Sequence, residues 1–273
     1  MPHRPTFENP PVVEVVLGVQ FDPLPDFTNA HLGVFWHRLG IEAWPVADDQ
    51  LPLPQQFERF GSERQWAQFG TMNIGLAQKP SSRSRFTNSN KDRILQLQNG
   101  RFHYSWVGTS VAIYPRYEAI RNEMADIYER FDRFVRDYHL GELRLNQWEI
   151  SYTNTIPRGT VWNQPGDWAN LFRSNAMLPT TVVANTLEQF GGRWMYEMPQ
   201  AVGRLHVELN SAKDKPDGQD ILLLQLTARG PIADGASNIE TALAGIDIGH
   251  ENIVNGFSDL TSEDAKRYWK EVT

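Results

Sequence analysis

The sequence predicts an α+β fold in which one antiparallel sheet carries long helices packed on one face. Three observations lead there. Several stretches alternate apolar and polar residues with a period of two, the pattern of strands with one face on a core. One such pair is joined by Asn99-Gly100, a dipeptide suited to tight hairpins. Residues 116–138 and 238–257 instead repeat apolar positions every three to four residues, as a helix burying one stripe does. The order strand, helix, several strands, long helix occurs twice. The chain therefore reads as two β-α-β(3–4)-α halves, 1–141 and 142–273, either repeated units or one continuous domain.

The first strand lies between Pro11 and Pro23. Val13, Val15, Leu17, Val19 and Phe21 share one parity and are expected in the core, while Val12, Glu14, Val16, Gly18, Gln20 and Asp22 face away. Pro11 and Pro23 bound it, because proline lacks the ladder donor and fixes its own φ. Asp26 or Thr28 caps a helix through Leu39, with Leu32, Phe35, Trp36 and Leu39 at helical spacing. His31 and His37 are six apart, on different faces, and make no metal pair. Residues 44–60, with Pro45, Pro52 and Pro54, read as an irregular connection, and a strand is expected near 66–76. Residues 79–93 gather Lys79, Arg83, Arg85, Lys91 and Arg93 against Asp92 alone. They read as a solvated loop, the one place where this chain could touch nucleic-acid phosphates.

At Asn99-Gly100 a type I′ turn is expected, pairing Leu97 with Phe102 and Leu95 with Tyr104 on the core face and Gln96 with His103 on the other. The helix that follows presents Tyr117, Ile120, Met124, Ile127, Tyr128, Phe131, Phe134, Val135 and Tyr138 on one stripe. The second half opens with a strand over 143–155, Trp148, Ile150 and Tyr152 inward and Gln147, Glu149, Ser151 and Thr153 outward. After a short helix near 167–173, strands are expected at 182–190, 193–198, 204–210 and 221–229. The last two are joined through Lys215-Pro216-Asp217-Gly218, good turn chemistry. Thr261-Ser262-Glu263-Asp264 has the pattern of a capping box opening a final helix. Gly100-Arg101-Phe102-His103-Tyr104 recurs as Gly203-Arg204-Leu205-His206-Val207, and Val13-Glu14-Val15 more loosely as Trp148-Glu149-Ile150, which argues for duplication.

Composition narrows the functional classes. With 40% hydrophobic residues, including 9 Trp, 14 Phe and 8 Tyr, the 273-residue chain can build a sizeable core. A net charge of −7 disfavours a uniformly basic nucleic-acid binder. The absence of cysteine excludes disulfides, thiolate metal sites, iron–sulfur clusters and cysteine nucleophiles. Residues 1–8 lack the apolar region of a secretory signal, and no run approaches the ~18 apolar residues of a spanning helix, so a cytoplasmic protein without membrane contact is expected. No phosphate-loop, dinucleotide or nucleophile-elbow motif occurs, and no cofactor is expected.

The opening Asn9-Pro10-Pro11-Val12-Val13-Glu14-Val15, through Phe21-Asp22-Pro23-Leu24, resembles the start of a sporadically distributed bacterial family of about this length. Gly249-His250-Glu251 and the tail around Trp269 resemble its ending. The resemblance carries no established activity and so no catalytic residues. The patchy distribution implies accessory roles, such as defence or specialised biosynthesis, rather than core metabolism.

If the parities hold, both halves share a polar sheet face made by Glu14, Gln20, Gln96, His103, Gln147, Glu149, His206, Glu208, Gln225, Thr227 and Arg229. Of these, Glu14, Gln20, Gln96, His103, Glu149, His206, Glu208 and Arg229 are the candidate ligand- or partner-binding residues. The function expected is a non-catalytic binding or partner-interaction protein, with a protein partner or a second copy of the chain as the main target and a small molecule as another. The alternative is a small-molecule enzyme, with Glu14 or Glu149 as base and His103 or His206 as acid. No metal is expected, because these residues lie on separate strands without ligand spacing. His250 falls on the apolar stripe of the last long helix and is expected to be a hydrogen-bonded core histidine. Gly245, Gly249 and Gly256 lower that helix's propensity, and close packing on the sheet would account for them.

Overall fold

Nine strands hydrogen-bond into a single antiparallel sheet, and two long helices cover one of its faces. The computed structural model describes residues 5–61, 82–109, 113–167, 171–173, 181–182, 185–186, 191–214, 218–232 and 238–272. In chain order the elements are β1 (Thr6–Phe7), β2 (Val12–Phe21), α1 (Asn29–Leu39), β3 (Val46–Gln50), β4 (Arg83–Thr87), β5 (Arg93–Gln98), β6 (Arg101–Val107) and α2 (Tyr117–Asp137). The second half supplies β7 (Leu145–Pro157), β8 (Thr181–Val182), β9 (Asn185–Thr186), β10 (Gly191–Glu197), β11 (Arg204–Lys213), β12 (Asp220–Pro231), α3 (Ile239–Leu260), α4 (Glu263–Trp269) and β13 (Glu271–Val272). The large sheet has the order β10-β11-β12-β7-β2-β6-β5-β4-β3, while β1 pairs with β13 and β8 with β9.

The first strands of the two halves, β2 and β7, lie side by side at the centre, with Leu17 opposite Ile150 and Gly18 opposite Glu149. Alternation then sorts the side chains. Val15, Leu17, Val19, Ile150, Leu205, Val207, Leu222, Leu224 and Leu226 are buried beneath the helices. One expectation fails at the start of β2. Val12 pairs with Asn154 and Glu14 with Thr153, so Val13 is the extra residue of a bulge. The bulge turns Val12, not Val13, into the core.

The Asn99-Gly100 hairpin has the expected register, Leu97 with Phe102, Gln96 with His103 and Leu95 with Tyr104. Its turn differs: only Gly100 takes a positive φ, at 101°, so it is not type I′. The Asn99 amide instead accepts from the Leu24 backbone N–H at 2.8 Å and donates to the Leu24 carbonyl at 2.9 Å, tying the hairpin to the loop after β2.

α2 buries Tyr117, Ile120, Met124, Tyr128, Phe131, Phe134 and Val135, the stripe its periodicity predicts, though Tyr138 lies beyond its end and is exposed. α2 and α3 are joined where the Tyr117 hydroxyl and both the Nε and Nη2 of Arg121 donate to the Asp247 carboxylate. At the N-terminus of α1 the His31 Nδ1 accepts from the Thr28 backbone N–H at 3.0 Å, a capping role for that histidine. The Ser262 hydroxyl caps α4 by accepting from the Ala265 N–H at 3.1 Å.

Two segments read as irregular are strands. Residues 46–50 form β3 and residues 83–87 form β4, the edge of the sheet. The arginines there are paired, not waiting for phosphate. Arg85 meets Asp48 at 2.9 Å, Arg83 donates to Gln96 at 2.6 Å, and Arg93 bonds both Glu123 and Asp92. Partners on neighbouring strands are what let so basic a stretch enter a sheet. Lys79 and the strand expected near 66–76 lie outside the described residues, as does most of 168–190 and of the 215–218 turn.

The Gly-Arg-x-His motif does not fall on equivalent strands. His103 is on β6, directly beside β2, whereas His206 is on β11, which reaches β7 only through β12. The motif therefore gives no support to a duplication. No helix among the described residues is long and apolar enough to cross a membrane.

Candidate functional site

On the face away from the helices, the strand register aligns one row across all nine strands. In order it runs Asp48, Arg85, Gln96, His103, Gly18, Glu149, Arg229, Arg204 and Glu197, each opposite the next. The gap at Gly18 organises the row. His103 and Glu149 stand two strands apart, ~9.5 Å by strand spacing, with β2 between them. A Cβ on residue 18 would come within 2.3 Å of the His103 Cδ2, so the imidazole lies over the bare glycine. Its Nε2 thereby reaches within 3.7 Å of the Glu149 carboxylate. The other oxygen of Glu149 accepts from the Arg229 Nε.

A strap formed by residues 51–61 crosses this face. It has the exposed donors and acceptors of an extended chain, and side-chain amides of the neighbouring row pair with them. Gln98 accepts from the Leu53 N–H and donates to its carbonyl, both at 2.8 Å. Gln20 treats Gln56 the same way, at 2.9 and 3.1 Å, and Gln147 accepts from the Glu58 N–H at 3.2 Å. The strap ends by inserting the Glu58 carboxylate among three groups of β11 and β12. The His206 Nε2 lies 2.8 Å and the Arg229 Nη1 3.5 Å from one oxygen, and the Arg204 Nη1 donates to the other. Phe60 lies beneath the Arg204 guanidinium at 4.5 Å, a cation–π contact. The Glu58 side chain is only 7% exposed.

Charges follow from this packing. Burial acts to raise both acidic groups, but their cationic neighbours outweigh it. His206, Arg204 and Arg229 hold Glu58 below the ordinary carboxylate range, and Arg229, His103 and Arg101 do the same for Glu149. His103 goes down to about 4: burial dominates, Glu149 opposes it, and Arg101 and Arg229 reinforce it. Arg101 is buried with no carboxylate in ion-pair reach among the described residues. Its Nη2 donates to Gln20 and to the Pro54 carbonyl, both at 2.9 Å, and its Nε has no partner among the described residues.

The sign of the His103 shift sets a pH dependence. Between an unfolded value near 6.5 and a folded value of about 4, the unfolded chain binds the extra proton. Stability should therefore fall as pH drops through that window, with a slope of up to ~1.4 kcal/mol per pH unit from this residue. His103→Gln should flatten the slope there while leaving the acid limb below it, where Glu58 and Glu149 protonate. Urea denaturation from pH 7 to pH 4 reads this directly, and equal slopes in the two proteins would refute it.

The sequence-derived candidates separate accordingly. His103, Glu149, His206 and Arg229 converge. Gln20 faces the same way but is held by the strap, and Gln96 accepts from Arg83. Glu14 is on the same face, four residues along β2 from Gly18, or ~13 Å away. Burial raises its pKa, and among the described residues it has no hydrogen-bond or ion-pair partner. Glu208 belongs to the Glu14 row, through Gln225 and Thr153, and pairs with Arg193 at 2.8 Å. The centre of the face is covered: the strap bonds to Gln20, and both Gln20 and His103 are buried. Arg101 and Arg204 share the parity of His103 and His206 and could have been named on that ground; nothing in the sequence ties Glu58 to this cluster. No group of three His, Asp or Glu side chains among the described residues is placed to hold a metal ion.

Compared with protein-family models, curated proteins and solved structures, the chain has no match in any of the three.

Proposed function

We propose that the chain is a non-catalytic binding protein that receives an acidic group of its target where Arg204, His206 and Arg229 converge. One observation carries the reading: Glu58, brought from a remote part of the chain by the strap, already sits there as a carboxylate. Side chains that hold one carboxylate through charge-assisted bonds have the donors for another carboxylate or a phosphate. In this reading the strap is an internal occupant that a stronger ligand displaces. The target is an acidic surface on a protein partner or a second copy of the chain, with an acidic small molecule as the lesser case. An accessory role in a bacterium, as the family resemblance implies, fits a protein that recognises rather than transforms.

The acid–base enzyme is the weaker alternative. General acid–base catalysis works best with a pKa near the operating pH. His103 at about 4, and Glu58 and Glu149 both below the ordinary carboxylate range, are poorly matched to that work. A repeated origin for the two halves belongs to the same proposal. It rests on the central placement of β2 and β7, not on the shared Gly-Arg-x-His motif.

The test is a titration with inorganic phosphate and with citrate, followed by calorimetry. Glu58→Ala should bind at least tenfold more tightly than the unaltered chain, and adding Arg229→Met should remove the gain. If Glu58→Ala folds and gains no affinity for either anion, the proposal is wrong.

A further inference from the structure

We infer that the helix-covered side of the sheet carries a second ligand site, a cleft for a single-ring aromatic molecule bearing one N–H or O–H donor. The cleft lies where the N-terminal segment, the bulged start of β2, β7 and α3 meet, and its volume is about 140 Å³. An apolar cavity of about 150 Å³ admits benzene, so the size fits one ring. Tyr114, Tyr117, Tyr152, His250 and Phe257 supply flat walls.

These walls are fixed before any ligand arrives. The Tyr117 ring stacks on His250 with centroids 3.8 Å apart. The Tyr152 hydroxyl lies 3.0 Å from the His250 Nδ1 and 3.1 Å from the Tyr114 hydroxyl. His250 is thus the hydrogen-bonded core histidine that its position predicts, and it also lines the cleft. Rigid aromatic walls keep the space open, because filling it would mean breaking these contacts.

The donor requirement comes from Asn154. Its side chain is 4% exposed and its Nδ2 donates to the Leu224 carbonyl at 3.1 Å, while its Oδ1 accepts nothing among the described residues. An acceptor with no protein donor gains a hydrogen bond from a ligand that supplies one, and Asn154 forms part of the cleft wall. It also faces Val12 across the bulge, where the regular pairing of β2 and β7 is interrupted. A ring that brings its own N–H or O–H fills the apolar space and satisfies this oxygen. This site is independent of the acidic-group reading, since it uses the other face of the sheet.

Fluorine NMR of 4-fluorophenol, 4-fluorotoluene and 4-fluorobenzoate with the full chain tests the proposal. The phenol should bind about tenfold more tightly than the toluene, the ratio that a hydrogen bond of ~1.4 kcal/mol gives. Asn154→Leu should bring the two within twofold. Val254→Phe, which fills the cleft, should abolish both while the circular dichroism spectrum is retained. Unlabelled phenol should displace the probe at about a tenth of the concentration needed by anisole, which lacks the donor; that reading needs no substitution. Equal binding of phenol and toluene, benzoate binding as tightly as phenol, or unchanged binding in folded Val254→Phe would each overturn the assignment.

Discussion

Trp148→Ala should destabilise the protein by about 3–5 kcal/mol, the range for removing a large buried aromatic side chain. The indole is 3% exposed and lies in a cage of glycines from three places in the chain. Cβ atoms built on Gly203, Gly230, Gly245 and Gly249 would come within 2.9, 2.5, 2.4 and 2.7 Å of the ring. Gly245 and Gly249 are one turn apart on α3, so it is their bareness that lets the helix seat on β7. Gly245→Ala makes the complementary test. Helix propensity alone would favour alanine by about 1 kcal/mol, but overpacking typically costs about 1–3 kcal/mol. A net loss is expected. In the Trp148→Ala background the clash is gone, and the same change should become neutral or stabilising. Urea denaturation of the four proteins closes that cycle. A Trp148→Ala loss below 1 kcal/mol, or additive effects, would show that the indole does not hold α3 in place.

The glycine cage marks how far the sequence can be read. The spacing of Trp148, Ile150 and Tyr152 was enough to place them inward, and the glycines of α3 announced close packing, because both signals are local and periodic. The hairpin register was legible for the same reason. Its turn type was not, because Asn99 answers to Leu24, a residue 75 positions away. The strap fails to announce itself for a related reason: an extended segment paired by Gln20, Gln98 and Gln147 side chains has no period of its own. Thus the candidate face could be drawn from parity, but its cover could not. Parity says nothing of how deeply His103 and Gln20 are buried, and Glu58, which completes the cluster, lies in a stretch without periodicity. The basic stretch that became β4 erred in the opposite direction, since its partners Asp48 and Gln96 are supplied by other strands.

Arg229→Met should also cost about 3–5 kcal/mol at pH 7, because it strands a buried charge. Glu58 keeps Arg204 and His206 in that variant. Glu149 keeps His103 at 3.7 Å, which with a pKa of about 4 is neutral at pH 7, and the charge of Arg101 beyond ion-pair reach. With its nearest cation gone, only the Arg101 charge opposes burial, and the folded pKa of Glu149 should rise above the unfolded one. A group with a raised folded pKa recovers stability as pH falls, so the gap between variant and parent should narrow from pH 7 to pH 5. Adding Glu149→Gln should restore part of the loss at pH 7 and remove most of the pH effect. Arg85→Met provides the contrast: its ion pair with Asp48 is 41% and 33% exposed, and screening by water limits such a pair to less than about 1 kcal/mol. Equal losses for the two arginines, or a loss at Arg229 that does not change between pH 7 and pH 5, would mean that Glu149 is hydrated rather than buried.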